Sequence, residues 1–435
     1  MVVELQTQSV EILRRLLRCN TVNPPGNERP AQEFLAAMLR QAGFEVELLG
    51  AEPERPNLVA RLRGAADGPT LCLLSHVDTV LATPSEWTHD PWSGAMWEGF
   101  VWGRGALDMK SQTAAEVAAA TALARGGWRP ARGDLLVVVV VDEETGGALG
   151  AQWICEHHPD KVRCDMLLNE GGGPVIPYDG GRVYGVCVAE KGVFRFRLIT
   201  DGVAGHASIP KIGDNALLKM APLLARIGER QPGFDLTDGP RALLEGLGLP
   251  PDDGDPSGSL ERLRERDEVL AMLVEPMLGV TLAPTRIRAS EKINVIPSTA
   301  ELQVDCRVPP GMGEEGAARR IHEVLGGEGY RIEFSERVIG NASPVSSPLM
   351  DAITRWLGEQ DPGSRVVPTI LPGFTDSRTF RHTFPDCVAY GFFPHRHMTL
   401  YDVAPLVHGA DERIDVRDLG FAAAFFHDIT KELLG

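Results

Sequence analysis

A histidine and several carboxylates stand just beyond apolar stretches of this sequence, at spacings that could gather a divalent cation. Leu71-Cys-Leu-Leu-Ser runs into His76-Val-Asp78, and Gly103-Arg-Gly-Ala-Leu-Asp108-Met-Lys precedes an alanine-rich stretch. A run of valines ends in Asp142-Glu143-Glu144-Thr-Gly-Gly, and Met166-Leu-Leu-Asn leads to Glu170-Gly-Gly-Gly. His76 and Asp78 lie two positions apart, so on extended backbone their side chains point the same way. Asp78 can then accept the imidazole's second N–H and aim the other nitrogen at a cation. Glu143 and Glu144 would repel each other if packed together, which favours separate work: one ligates, the other serves as a base. One imidazole with three carboxylates suits a hard-to-borderline divalent ion, and a carboxylate can bridge two. A lone His-x-Asp or Glu-Glu pair is common by chance. Four such motifs in order, each following a strand-like run, leave little room for coincidence.

Groups so far apart in the chain converge only if a sheet carries them. Residues 4–190 alternate between helical and strand-like patterns. Helical periodicity covers residues 10–19 and 31–41, the second stopped by Gly43. Residues 57–61 and 71–74 read as strands, and 111–125 as a helix ended by Gly126-Gly127. Residues 135–141 are apolar at every position, as in a central strand covered on both faces. Residues 162–168 read as a further strand. The pattern predicts an α/β fold: a mixed, mostly parallel sheet flanked by helices, with ligands beyond the carboxyl ends of its strands.

The middle of the chain differs. Residues 194–200 and 299–308 read as strands, the second with Ala300, Leu302, Val304, Cys306 and Val308 on one face. Helical patterns at 215–229 and 316–325 could cover that face. Residues 231–259, rich in Pro, Gly and Asp, read as an irregular surface insertion. Residues 191–335 therefore form an expected α+β domain inserted into an α/β domain of residues 1–190 and 336–435. In the latter, Ser347-Pro348 opens a helix, residues 387–393 read as a strand, and Asp415 caps a final helix.

A chain of 435 residues is too large for one core, and its 43% hydrophobic and 24% charged content is globular. A net charge of −17 argues against nucleic acid or an anionic membrane as partner. No apolar run reaches the ~20 residues that span a bilayer, and the N-terminus has no secretory pattern. The seven cysteines are scattered without a CxxC pair, which favours reduced, buried thiols and a cytoplasmic location.

Together these residues resemble the M20 family of metallopeptidases and amidohydrolases, which includes glutamate carboxypeptidases, aminoacylases, acetylornithine deacetylases and succinyl-diaminopimelate desuccinylases. The resemblance covers essentially the whole chain. It rests on the four motifs above and on Gly205-His206-Ala-Ser, Asn294-Val-Ile-Pro297, Asp305-Cys-Arg307, Thr375-Asp376 and His408-Gly-Ala-Asp-Glu412. It implies a zinc-peptidase-like catalytic domain holding two divalent ions, zinc in the first place, with cobalt or manganese as alternatives. Asp108 would bridge them, Glu144 and His408 completing one shell, His76 and Glu170 the other. Asp78 would orient His76, and Glu143 would be general base and acid. The inserted segment would be a lid and dimerisation domain, from which His206 reaches the partner's site in a homodimer. Asn294, Arg307, Gly373 and Thr375 would bind substrate, Arg307 holding a free carboxylate unless it pairs internally with Asp305 or Glu301. The implied reaction is hydrolysis of the amide bond in an N-acyl amino acid or short peptide. A biosynthetic deacylase is the alternative, although the long lid departs from the compact desuccinylases. A non-catalytic peptide-binding protein would be expected to have lost the base or the ligands, and all are present. The His395-x-His397 pair has ligand spacing, but a structural role is the simpler reading.

Overall fold

The computed structural model describes residues 2–435, which form two compact units. One comprises the described residues up to Val188, Ser343–Thr369 and Thr375–Gly435; the other comprises Ala189–Ala342 with Ile370–Phe374.

The first unit is built on a ten-stranded mixed sheet. Its centre is four parallel neighbours: Asp134–Val140, Leu71–His76, Met166–Asn169 and Val388–Gly391. Antiparallel strands extend it on both sides, with Asn57–Arg63 and Glu45–Leu49 beyond the valine strand. Every residue of Leu71–His76 is buried, as is all of the valine strand except Asp134. Such strands need helices on both faces. The helix Lys110–Arg125 packs against the long helices Val2–Leu17 and Val416–Leu434. Another apolar cluster joins Leu74, Val138 and Leu167 of the sheet to Ile154 and Phe380 of the helices Ala151–His157 and Ser377–Thr383. The expected caps are in place: Ser347 accepts from the Met350 amide, and Asp415 from that of Arg417. All seven cysteines are free and six are buried. No helix among the described residues is long and apolar enough to cross a membrane.

In the second unit, Thr299–Val308 pairs with Phe196–Asp201 and with Thr281–Arg288, all antiparallel. Its alternate residues Ala300 to Val308 are buried against the helices Ala216–Glu229 and Glu314–Leu325, as the period of two requires.

Two expectations need correction. Residues 231–259 are not irregular: they contain the helix Asp238–Gly246 and the start of Ser257–Arg266, with Glu268–Val274 following. Leu243, Leu244, Leu247, Leu260 and Leu263 are buried, so leucine spacing outweighs the surrounding turn residues. Residues 162–168 are not one strand. Pro159 opens a single helical turn, Pro159–Val162, and the strand is only Met166–Asn169.

Candidate metal centre

Three adjacent parallel strands end side by side, and the chemistry lies at and just beyond their carboxyl ends. His76 is the last residue of its strand, Glu143 and Glu144 follow the valine strand, and Glu170 follows Met166–Asn169. Close approach is needed here: a Cβ at Gly391, on the next strand, would sit 1.9 Å from the Glu170 carbonyl oxygen. Asp108 stands just before the helix Lys110–Arg125, and His408 lies in the loop between Leu400–Val403 and Arg413–Asp415.

The His76 ring is 1% exposed, and its Nε2 is a buried nitrogen with no hydrogen-bond partner. That nitrogen lies 3.3 Å from Asp108 Oδ1, 3.6 Å from Glu170 Oε1 and 4.0 Å from Glu143 Oε2. The other oxygen of Asp108 faces a second imidazole: Oδ2 is 3.0 Å from His408 Nε2, which is 3.3 Å from Glu144 Oε2. Ligand atoms of His76, Glu143 and Glu170, and of His76, Asp108 and Glu144, lie within 4.8 Å of one another. An orphaned imidazole nitrogen facing a ring of carboxylates is the donor set of a divalent-cation site.

The electrostatics agree. Burial pulls the His76 pKa down, but Asp108, Asp78 and Glu170 outweigh it and hold it well above the ordinary value. Contacts with Asp108 and Glu144 lift His408 to about 10. Burial, then the like charge of Asp108, push Glu170 up to about 7. Burial and Glu170 push Glu143 well above the usual carboxylate range. Without cations, the cluster relieves its repulsion by holding protons.

Asp78 lies where expected but acts somewhat differently. His76 Nδ1 is 3.1 Å from the backbone oxygen of Asp78 and 3.4 Å from its carboxylate. The carboxylate accepts from the amides of Glu143 and Glu144, both at 3.2 Å, and from Asn23 Nδ2 at 2.9 Å. It therefore anchors the Glu143–Glu144 turn as well as the ring. Asn23 also donates to Asp142, which is paired with Arg55, itself paired with the buried Glu28. Sequence reasoning missed Asn23, Arg55 and Glu28. Nothing in local pattern marks them, because each acts through a partner distant in sequence.

The remaining candidates divide between the units. Thr375 is 6% exposed in the first unit, its hydroxyl accepting from Asn169 and from the Ser377 amide. Gly373 belongs to the second unit, and His206, Asn294 and Arg307 do too. His206 is exposed on a short antiparallel pair opposite Val295, and the exposed Asn294 stands in the turn just before it, its carbonyl accepting from the Ala207 amide. Arg307 is paired with Asp305, Nε to Oδ1 at 2.6 Å. His395 is buried against Phe393 while His397 is exposed, so that pair does not converge on a common ion.

A mixed sheet with imidazoles and carboxylates gathered beyond its parallel strands is the scaffold of a metallohydrolase. The sequence match makes the class particular. Residues 72–432 match the family model of Peptidase family M20/M25/M40, and the chain belongs to that family. It is 28% identical to a succinyl-diaminopimelate desuccinylase of Xanthobacter autotrophicus over 422 residues, 94% of this chain and 95% of the relative. Identity to the protein of the same name in Gluconacetobacter diazotrophicus is 32% over 231 residues, spanning 52% of this chain and only 57% of that relative. The fold is similar to that of the M20 family metallo-carboxypeptidase Sso-CP2 from Sulfolobus solfataricus, with a TM-score of 0.70, 17% identity and 98% of each chain covered.

Because Asp78 holds both the His76 ring and the Glu143–Glu144 turn, Asp78→Asn should weaken divalent-cation binding by roughly 10–100-fold. Competition titration with a chromophoric chelator measures this, and unchanged affinity would remove Asp78 from the site's support.

Proposed function

We propose that the chain is a two-cation amidohydrolase acting on an N-acyl amino acid or short peptide with a free carboxylate. The observation that carries this reading is Asp108, which offers one oxygen to each of two imidazole-containing clusters. His76, Asp108 and Glu170 would hold one ion, and His408, Asp108 and Glu144 the other. Zinc suits these donors, with cobalt or manganese as substitutes. Bound there, the ions would acidify a water molecule and polarise the substrate carbonyl.

Glu143 then has the role of proton carrier. Its buried carboxyl, raised by burial and by Glu170, is suited to accept a proton and deliver it to the leaving amine. Glu144, which also accepts from the Val80 amide, is the ligand of the pair. His206 is assigned to the oxyanion and Asn294, Arg307, Gly373 and Thr375 to substrate binding. Arg307 offers a planar fork for a carboxylate. Its present partner Asp305 is also bound by Arg195, so Asp305 keeps a counter-charge if Arg307 turns to substrate. The second unit also exposes Leu217, Leu218 and Leu224 on one helix and Ile287 on an edge strand, surface that a second copy in a homodimer would cover. Reduced buried thiols suit the cytoplasm. A second reading, a biosynthetic deacylase, is favoured by the names of the relatives above. Comparing turnover of N-acetyl amino acids, dipeptides and N-succinyl-diaminopimelate separates the two.

Chelation should abolish turnover, and zinc or cobalt should restore it. Glu143→Ala should lower kcat by at least ~10²-fold while elemental analysis still finds both ions. A folded Glu143→Ala protein that has lost its metal would exchange the roles of Glu143 and Glu144. Arg307→Ala should cost roughly 2–5 kcal/mol in kcat/KM on free acids and little on amidated analogues. For His206 the test is subunit mixing with Glu143→Ala. Recovered activity means that His206 acts across a dimer; no recovery despite exchange places it elsewhere.

A further inference from the structure

His76 and His408 reach the candidate site by different means. His76 is 1% exposed at the end of a central strand, where packing fixes its ring. The His408 side chain is 52% exposed, so little packing aims it. Its backbone also sits at φ 60°, a left-handed conformation that non-glycine residues seldom adopt unless something holds them there. The loop must therefore be held through its backbone.

One buried ion pair does this. Arg104 is 3% exposed and Glu412 fully buried, with Nη1 and Oε2 at 2.6 Å. Arg104 Nη2 donates to the carbonyls of His408 at 3.2 Å and Gly409 at 2.9 Å. Glu412 accepts from the amides of Asp108 at 3.0 Å, Leu107 at 2.6 Å and Gly105 at 3.1 Å. The guanidinium lies over the Trp87 ring, 5.2 Å from its centre. A single pair thus ties the backbone of His408 to the backbone of Asp108, whose Oδ2 faces the His408 ring.

We infer that Arg104 and Glu412 are a positioning pair that fixes His408 and so sets the affinity of one of the two cations, that of the Asp108–Glu144–His408 cluster. The inference rests on the two-cation reading above. His76 ends a central strand and Glu170 follows the next one, and only Asp108, shared by both clusters, links the pair to the other cation, so that cation should be less sensitive to it than the cation at His408. The fork geometry matters: a lysine keeps the charge but has no planar fork to serve a carboxylate and two carbonyls together.

The test is zinc and cobalt titration of the full chain against a competing chelator, with the visible absorption of bound cobalt as a second readout. Arg104→Lys and Glu412→Gln should weaken one cation by at least about tenfold and the other, which keeps His76 and Glu170, clearly less, with loss of one cobalt signature. Adding Arg104→Lys to His408→Ala should weaken cation binding no further. Equal weakening of both cations, or of neither, overturns the inference. If Arg104→Lys does not fold, Glu412→Gln decides. Failure of both to fold even in excess zinc makes the pair a folding element and also overturns it. Wild-type protein that binds fewer than two ions would sink the two-cation reading itself, whereas two ions in wild type with an unaltered second ion in both variants would sink this inference alone.

Discussion

Like-charge repulsion governs this molecule. Asp78, Asp108, Glu143, Glu144 and Glu170 are brought together at one end of a sheet, largely out of water, where unscreened charges act strongly. Such crowding persists only if positive charge or hydrogen-bond donors meet it. Some donors are built in: Asn23 and the amides of Glu143 and Glu144 bond the Asp78 carboxylate, and Arg55 bonds Asp142. Others titrate, and His408 at about 10 and Glu170 at about 7 are that response. The fixed donors meet the outer carboxylates, Asp78 and Asp142, and the Val80 amide meets Glu144. Mobile charge is left to satisfy the rest of the inner ring of Asp108, Glu143, Glu144 and Glu170.

The sheet makes this arrangement affordable in conformational terms. Parallel strands buried at nearly every residue give the carboxyl ends little freedom, so His76, Glu143, Glu144 and Glu170 arrive as neighbours on rigid supports. Asp108 and His408 come from connections, and their backbones are bonded to one carboxylate–guanidinium pair instead. The two halves therefore differ in kind: one is held by packing, the other by hydrogen bonds.

Much of this was legible in the sequence because it follows from local periodicity. The all-apolar run before Asp142 is a central strand, and the alternating run ending at Val308 has one buried face. The caps Ser347 and Asp415 act on amides two or three residues away, which is why composition alone marks them. Where non-local contacts decide, the sequence was opaque. The helices within residues 231–274 depend on leucines buried by tertiary packing amid turn-forming neighbours. Asn23, Arg55 and Arg104 act across the fold, and a lone buried arginine or asparagine carries no period. Arg307 faces away from the core as alternation requires, yet its Asp305 pairing is an i, i+2 contact on the same strand face that alternation permits equally.

The Glu143–Glu144 pair shows how neighbouring residues of one type come to differ. Both amides bond the same Asp78 carboxylate, so the backbone treats them alike. Their side chains diverge from that anchor. The Glu144 side chain is 5% exposed and meets two donors, His408 Nε2 and the Val80 amide. Glu143 is raised first by burial and then by Glu170, with Asp376 and Asp108 adding in the same direction and only His76 opposing them. That position pushes the Glu143 carboxyl towards the protonated form. The division of work proposed above between base and ligand would thus rest on the faces that two consecutive side chains meet, and the turn anchored by Asp78 fixes those faces.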